Sequence, residues 1–141
     1  MKRTATAEWN GTLKEGKGTI STQSTTLDNT QYSFKARFED GTGTNPEELI
    51  GAAHAGCFTM ALSAILSGEG HTPGALKTQA VVELNPAEQQ ITGITLKLKA
   101  SPIDGLTEAQ FSEIAEKAKT NCPISKALSA TPMTLEVTYE A

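Results

Sequence analysis

Apolar and polar residues alternate over about the first forty positions, the pattern of half-buried strands. Ala5, Ala7 and Trp9 stand against Thr4, Thr6 and Glu8, the segment KGTIST follows, and YSFKARF carries the strand reading to about Phe38. Turns are expected at Gly11, Gly16 and Asp28-Asn29. The period then changes. After a flexible connector from Glu39 to Thr44, Asn45 is an N-cap residue type, Pro46 suits the first helical position and Glu48 lies three residues past the cap. The helix that begins there runs through LIGAAHAGCFTMALSAILS, Leu49 to Ser67, with no charge and with small or apolar residues around its whole circumference. That is the pattern of a helix buried on all sides, and it stops at Gly68. Beyond the Gly/Pro-rich turn Gly70 to Gly74, Lys77 to Leu84 and the alternating Ile94, Leu96 and Leu98 read as a hairpin across Asn85-Pro86-Ala87-Glu88. Thr107 and Gln110 form a second capping box, ahead of a helix with the apolar stripe Phe111, Ile114, Ala115 and Ala118 that ends near Asn121. Pro123 opens another short helix, and Met133 to Tyr139 closes the chain as a strand.

At 141 residues the chain is expected to form one domain, 1–141, with a core that needs no metal or disulfide staple. Its 38% hydrophobic and 20% charged content excludes a disordered acidic tail and a membrane bundle. With a net charge of -4 and a pI near 5.2, no net field draws it to phosphates or anionic lipid, so nucleic acid is not an expected partner. The uncharged helix has about the 20 residues that would span a bilayer. His54 and the many Gly, Ala, Ser and Thr residues make it weakly hydrophobic, so a core helix is the reading taken and no membrane is expected. MKRTATAEWN has no apolar run of signal-peptide length, which places the protein in the cytoplasm. There a permanent disulfide between Cys57 and Cys122 would be unusual, leaving two reactive thiols or two buried inert ones.

A cysteine is a nucleophile only as thiolate, so the surroundings of each thiol decide its chemistry. Cys57 lies about ten residues inside the uncharged helix, where burial raises its pKa unless a cation reaches it from elsewhere. Cys122 precedes Pro123 at the start of NCPISKAL, where helix N–H groups favour the anion. The cation nearest in sequence is Arg37, and Glu47 or Glu48 could orient its guanidinium. Glu47 and Cys57 are ten residues apart on one helix, roughly 15 Å along its axis, and cannot share a site within it. If both serve one site, a second subunit supplies one of them, which predicts an intertwined two-fold homodimer with two equivalent sites. The plainer reading makes Arg37 and Glu47 surface and helix-cap charges. His54, Cys57, His71 and Cys122 could in principle surround zinc, but the paired short spacings of structural zinc sites are absent and His54 reads as a core histidine. Phosphate-loop, Gly-x-Ser-x-Gly and HExxH patterns are absent too.

GTNPEELIGAAHAGCFTMAL, residues 43 to 62, together with NCPISKAL, 121 to 128, resembles the osmotically inducible protein C (OsmC) family, relatives of the organic hydroperoxide resistance (Ohr) proteins. The likeness extends to AEWNG, GKGTIST and the ARFE segment, where Arg37 looks more like the osmotically inducible subgroup. Gly56 departs from the alanine that relatives often carry before the cysteine. The resemblance implies an α+β fold, antiparallel sheets around two central helices in an intertwined homodimer, and a cysteine-based peroxidase. Carried over, Cys57 is the peroxidatic thiol, Cys122 the resolving thiol, Arg37 the residue that holds the thiolate and Glu47 the residue that holds Arg37. Glu48 is the adjacent alternative, with a capping role of its own. Organic hydroperoxides, and more weakly hydrogen peroxide, would be reduced in oxidative or osmotic stress. No cofactor is implied, only an external dithiol, small or carried as a lipoyl group on a protein. Disulfide closure needs Cα atoms about 4.4–6.8 Å apart. An apolar pocket involving Phe58 and Met60 would favour organic substrates. The same fold would also serve a non-catalytic dimeric redox-sensing or binding protein.

Overall fold

A computed structural model describes all residues, 1–141, as two compact units, Met1–Leu49 and Ile50–Ala141. In the first, β1 (Ala5–Asn10), β2 (Lys17–Thr22) and β3 (Thr30–Tyr32) form an antiparallel sheet in that order. Trp9 faces Gly18 across β1 and β2, and its ring meets that of Tyr32 at 5.4 Å between centroids. A Cβ on Gly18 would strike both rings, so the pair needs glycine there.

The segment expected to continue as a strand turns instead into a short helix, α1 (Phe34–Phe38), which carries Arg37. Ser33 caps it, its hydroxyl accepting from the Ala36 N–H at 3.1 Å, and Asn45 Nδ2 donates to the Ala36 carbonyl at 3.1 Å. The turn to helix has a simple cause. Apolar residues at 34, 36 and 38 satisfy the strand period of two, but 34 and 38 are also one helical turn apart, and their rings meet, tilted at 45°, with centroids 5.1 Å apart. Asn45 then caps α2 (Pro46–Gly68), its side-chain oxygen accepting from the Glu48 N–H at 2.8 Å.

In the second unit, β4 (Leu76–Asn85) and β5 (Gln90–Ala100) form the expected hairpin, with Asn85 Oδ1 accepting from the N–H groups of Ala87 and Glu88. The chain then passes through α3 (Glu108–Asn121) and α4 (Pro123–Ala127) to β6 (Met133–Tyr139). Because helices intervene, β6 returns beside β5 in parallel, so this α+β sheet is mixed in its last pair where only antiparallel pairing was anticipated. The reciprocal Thr107–Gln110 box is present, and the predicted stripe of α3 is the buried one.

Ile94, Leu96 and Leu98 of β5 meet Phe111, Ile114, Ala115 and Ala118 of α3 and Phe58, Leu62 and Leu66 of α2 in one core. Tyr139 ties its edge: the ring meets Phe111 edge-on at 4.5 Å, and the hydroxyl accepts from the Ile103 N–H at 2.6 Å and donates to the Leu106 carbonyl at 2.8 Å. Tyr139→Phe strips a partly buried N–H of its acceptor and is expected to cost about 1–3 kcal/mol, measurable by urea unfolding.

α2 does not meet the expectation of burial on every side. Gly51, His54, Phe58, Leu62 and Leu66 make one covered stripe, whereas Ala52, Ala53, Gly56, Met60 and Ala64 are open, Met60 to 75%. With a mean hydropathy of 1.7 over 18 residues, the helix is long and apolar enough to cross a membrane by length and composition alone.

Candidate active site

Pro123 creates the position of Cys122. A residue before proline is driven out of the helical region, and Cys122 sits at φ -59, ψ 125, ending α3 and starting α4. Its own N–H still donates to the Ala118 carbonyl at 3.0 Å and its carbonyl accepts from Lys126 at 3.1 Å, so the break is confined to one residue. The side chain is fully buried. Burial by itself pushes the Cys122 thiol up, but the Cys57 thiol, the N–H and hydroxyl of Ser125 and the N–H of Ile124 together outweigh it and bring the thiol down.

Cys57 sits in the middle of α2, half-buried against the core that contains Cys122; both are free. Here the balance runs the other way. Burial, and then the Cys122 thiol, push Cys57 up, against a smaller pull from the Ile124 N–H.

Arg37 and Glu47 make the other pair. Glu47 Oε1 accepts from Arg37 Nε at 3.1 Å and lies 3.0 Å from Nη2, which leaves both N–H groups of Nη1 free. The guanidinium also lies 5.2 Å from the centre of the Phe38 ring. Glu47 is only 8% exposed, and its Oε2 is buried without a partner. Glu48 is the helix-start residue: its N–H goes to Asn45 and its carboxylate accepts from the Thr44 hydroxyl at 2.7 Å. Of the two carboxylates the sequence left open, Glu47 is the one on Arg37.

Two residues were not anticipated in these positions. His54 is fully buried, as a core histidine should be, but its Nε2 lies 2.7 Å from Oγ of Ser125, three residues after Cys122 in the chain, and burial holds its pKa down. The available signal was that His54 lies one helical turn before Cys57 and Ser125 one turn after Cys122. Phe58, expected in a pocket, is wholly core, whereas Met60 lines an open groove of about 860 Å³ with Ala55, Gly56 and Thr59. No three His, Cys, Asp or Glu side chains converge as a metal would require.

Residues 39–138 match the family model described as OsmC-like protein. The chain belongs to the OsmC family. Among its relatives is the peroxiredoxin OsmC of Escherichia coli K12, 48% identical over 126 residues, 88% of this chain and 87% of that protein. The organic hydroperoxide resistance protein OhrA of Bacillus subtilis 168 is 34% identical over 97 residues, 67% of each chain. In fold, the chain is similar to the crystal structure of an OsmC-like protein from Mycoplasma pneumoniae, with TM-score 0.77 and 16% identity over 100% of this chain and 99% of that one.

Proposed function

We propose that this member of the OsmC family is a thiol-dependent peroxidase that reduces organic hydroperoxides, and more weakly hydrogen peroxide, in defence against oxidative or osmotic stress. The observation that carries the reading is the pair of free thiols, Cys57 and Cys122, gathered at one core, Cys122 within it and Cys57 packed against it. The names of the relatives, a peroxiredoxin and an organic hydroperoxide resistance protein, support it.

In the proposed cycle the Cys57 thiolate attacks the peroxide O–O bond, expels an alkoxide that leaves as the alcohol, and becomes a sulfenic acid. Cys122 then displaces water and closes a disulfide, and an external dithiol, small or lipoyl-bearing, returns both thiols and is itself oxidised. No resident cofactor enters. Because the surroundings of Cys57 within residues 50–141 push its thiol up, the cycle needs a cation, and Arg37, held by Glu47, is the proposed source. Glu47 and Cys57 stand ten residues apart on α2, so the proposal gives the cation of one subunit to the thiol of the other in an intertwined homodimer. The open stripe of Ala52, Ala53, Gly56, Met60 and Ala64 on α2 supports a second copy packing there. The 141 residues would act as one peroxidase domain in the cytoplasm.

The test is intact mass of the reduced protein after one equivalent of an alkyl hydroperoxide, with peptide mapping under non-reducing conditions. Loss of two hydrogens and a Cys57–Cys122 link is expected; an unchanged mass with both thiols free overturns the proposal. A second reading, a non-catalytic redox sensor, is favoured by the raised thiol of Cys57 in its own surroundings. Repeated turnover with a dithiol would remove it.

A further inference from the structure

One side-chain hydrogen bond holds α4 to the rest of the chain. From Pro123 to Thr131 the backbone hydrogen bonds stay within the segment or run to Cys122, and the bond that leaves it joins Ser125 Oγ to His54 Nε2 of α2 at 2.7 Å. Both ends are buried, 6% and 0% exposed. Ile124 and Leu128 add partly buried apolar contacts, and five residues are too few to hold a helix unaided. The break at Cys122, φ -59 and ψ 125, stands where the segment would hinge. We infer that His54 is an acid-sensitive latch: neutral, it holds α4 to α2 through Ser125, and protonated, it lets α4 and the buried Cys122 at its start come away from the core. Release would take the resolving thiol of the proposed cycle out of the core, but the latch itself does not depend on that cycle.

A neutral imidazole has one N–H. Nδ1 is buried without a partner, and a bare buried acceptor is the less costly orphan, so the tautomer with hydrogen on Nε2, donating to Ser125 Oγ, is favoured. Protonation puts a second N–H on Nδ1, where no acceptor waits, and a charge in the core with it. No carboxylate answers that charge. Glu83 on β4, Glu136 on β6 and Glu108, Glu113 and Glu116 on α3 are exposed, and on α2 itself Glu47 and Glu48 are engaged by Arg37 and Thr44. Lys77 on β4, Lys97 and Lys99 on β5, Lys117 on α3 and Lys126 on α4 are exposed as well, and Lys119 is paired with Glu116. The Tyr139 hydroxyl is engaged by Ile103 and Leu106, and the thiols of Cys57 and Cys122 carry their protons in acid.

Burial holds the pKa of His54 below the ordinary histidine value of 6.5 while α4 is docked, and release returns the ring to water. Docking is therefore at full strength above that ordinary value and weakens as pH falls below it, until the docked ring takes up its own proton. A single proton changes the opening equilibrium by at most about tenfold per pH unit.

In the reduced, full-length Cys57→Ser protein, opening is read from labelling of Cys122 by 4,4′-dithiodipyridine, divided by the rate for the urea-unfolded chain at the same pH. That quotient is expected to rise about tenfold from about pH 7.5 to about pH 5, with about thirtyfold the ceiling for one proton on a group of ordinary pKa 6.5. His54→Gln in this background, whose amide N–H can still donate to Ser125 but does not titrate, should label slowly with a flat profile. Ser125→Ala should label about fivefold faster already near neutral pH. The amides of the central strand β5 should stay protected from hydrogen exchange throughout, which separates release of α4 from unfolding of the core. A flat profile with His54 in place, a His54→Gln profile just as steep, unchanged labelling in Ser125→Ala, or β5 protection lost in step with Cys122 each overturn the inference. Should His54→Gln not fold, the other profiles and β5 protection decide. Failure of the peroxidase reading would show separately, as reduced wild-type protein that forms no Cys57–Cys122 link with hydroperoxide.

Discussion

Cys57→Ser is expected to lower hydroperoxide turnover by at least about a thousandfold while leaving the fold intact. A serine hydroxyl is not ionised near neutral pH and does not accept an oxygen atom from a peroxide as a thiolate does, so the first bond of the cycle is never made. Substitution removes little packing: Cys57 is half-buried at the border of the core, and Ser differs from Cys by one atom. Cys122→Ser should behave differently. Its first equivalent of hydroperoxide is consumed, then Cys57 waits as sulfenic acid and advances to sulfinic acid with excess oxidant. Steady-state turnover with a dithiol and intact mass at successive oxidant doses separate the two variants. Full turnover in Cys57→Ser, or identical oxidation patterns in both, would count against the assignment of Cys57 as the attacking thiol.

The elements that carry these cysteines were legible because their signals are local. Asn45-Pro46 and Thr107–Gln110 each specify a helix start within four residues, and Pro123 fixes the break at Cys122 through its nearest neighbour alone. What failed was whatever depends on distant partners or on a pattern with two solutions. Phe34, Ala36 and Phe38 satisfy strand and helix spacing alike, and the cap at Ser33 and the bond from Asn45 decide for the helix. The direction of β6 follows from the helices before it, which alternation within the strand does not register. His54 and Ser125 are 71 residues apart, so their hydrogen bond exists only once α2 and α4 have packed. The choice of Glu47 over Glu48 likewise came only with the structure, in which the Thr44 hydroxyl holds the Glu48 carboxylate and Arg37 meets Glu47.

Arg37→Ala is expected to slow the first step, hydroperoxide reduction by Cys57, by roughly tenfold to a hundredfold near neutral pH, from the loss of a cation near a thiolate. The sign of each contribution to that thiol sets the direction of the effect. Burial raises it, the Cys122 thiol raises it further, and the Ile124 N–H does not restore it. In the proposed cycle Arg37 supplies the positive charge these contributions lack, and removing it would leave less thiolate at any pH below the thiol's own pKa. The deficit should widen as pH falls and shrink as pH rises, because at high pH the thiolate forms without help. Arg37→Lys should recover part of the rate as a point charge that lacks the planar fork held on Glu47 Oε1 through Nε and Nη2. Glu47→Gln should cost less than Arg37→Ala, since the cation stays and only its hold is weakened. Stability should change little in Arg37→Ala, because the Arg37 side chain is 42% exposed and such pairs are screened by solvent. The measurement is the pH dependence of Cys57 alkylation and of single-turnover hydroperoxide loss in the Cys122→Ser background, where no second thiol titrates beside it. Superimposable profiles with and without Arg37 would mean that the thiolate is held by something else, and the Arg37–Glu47 pair would revert to a helix-end ion pair.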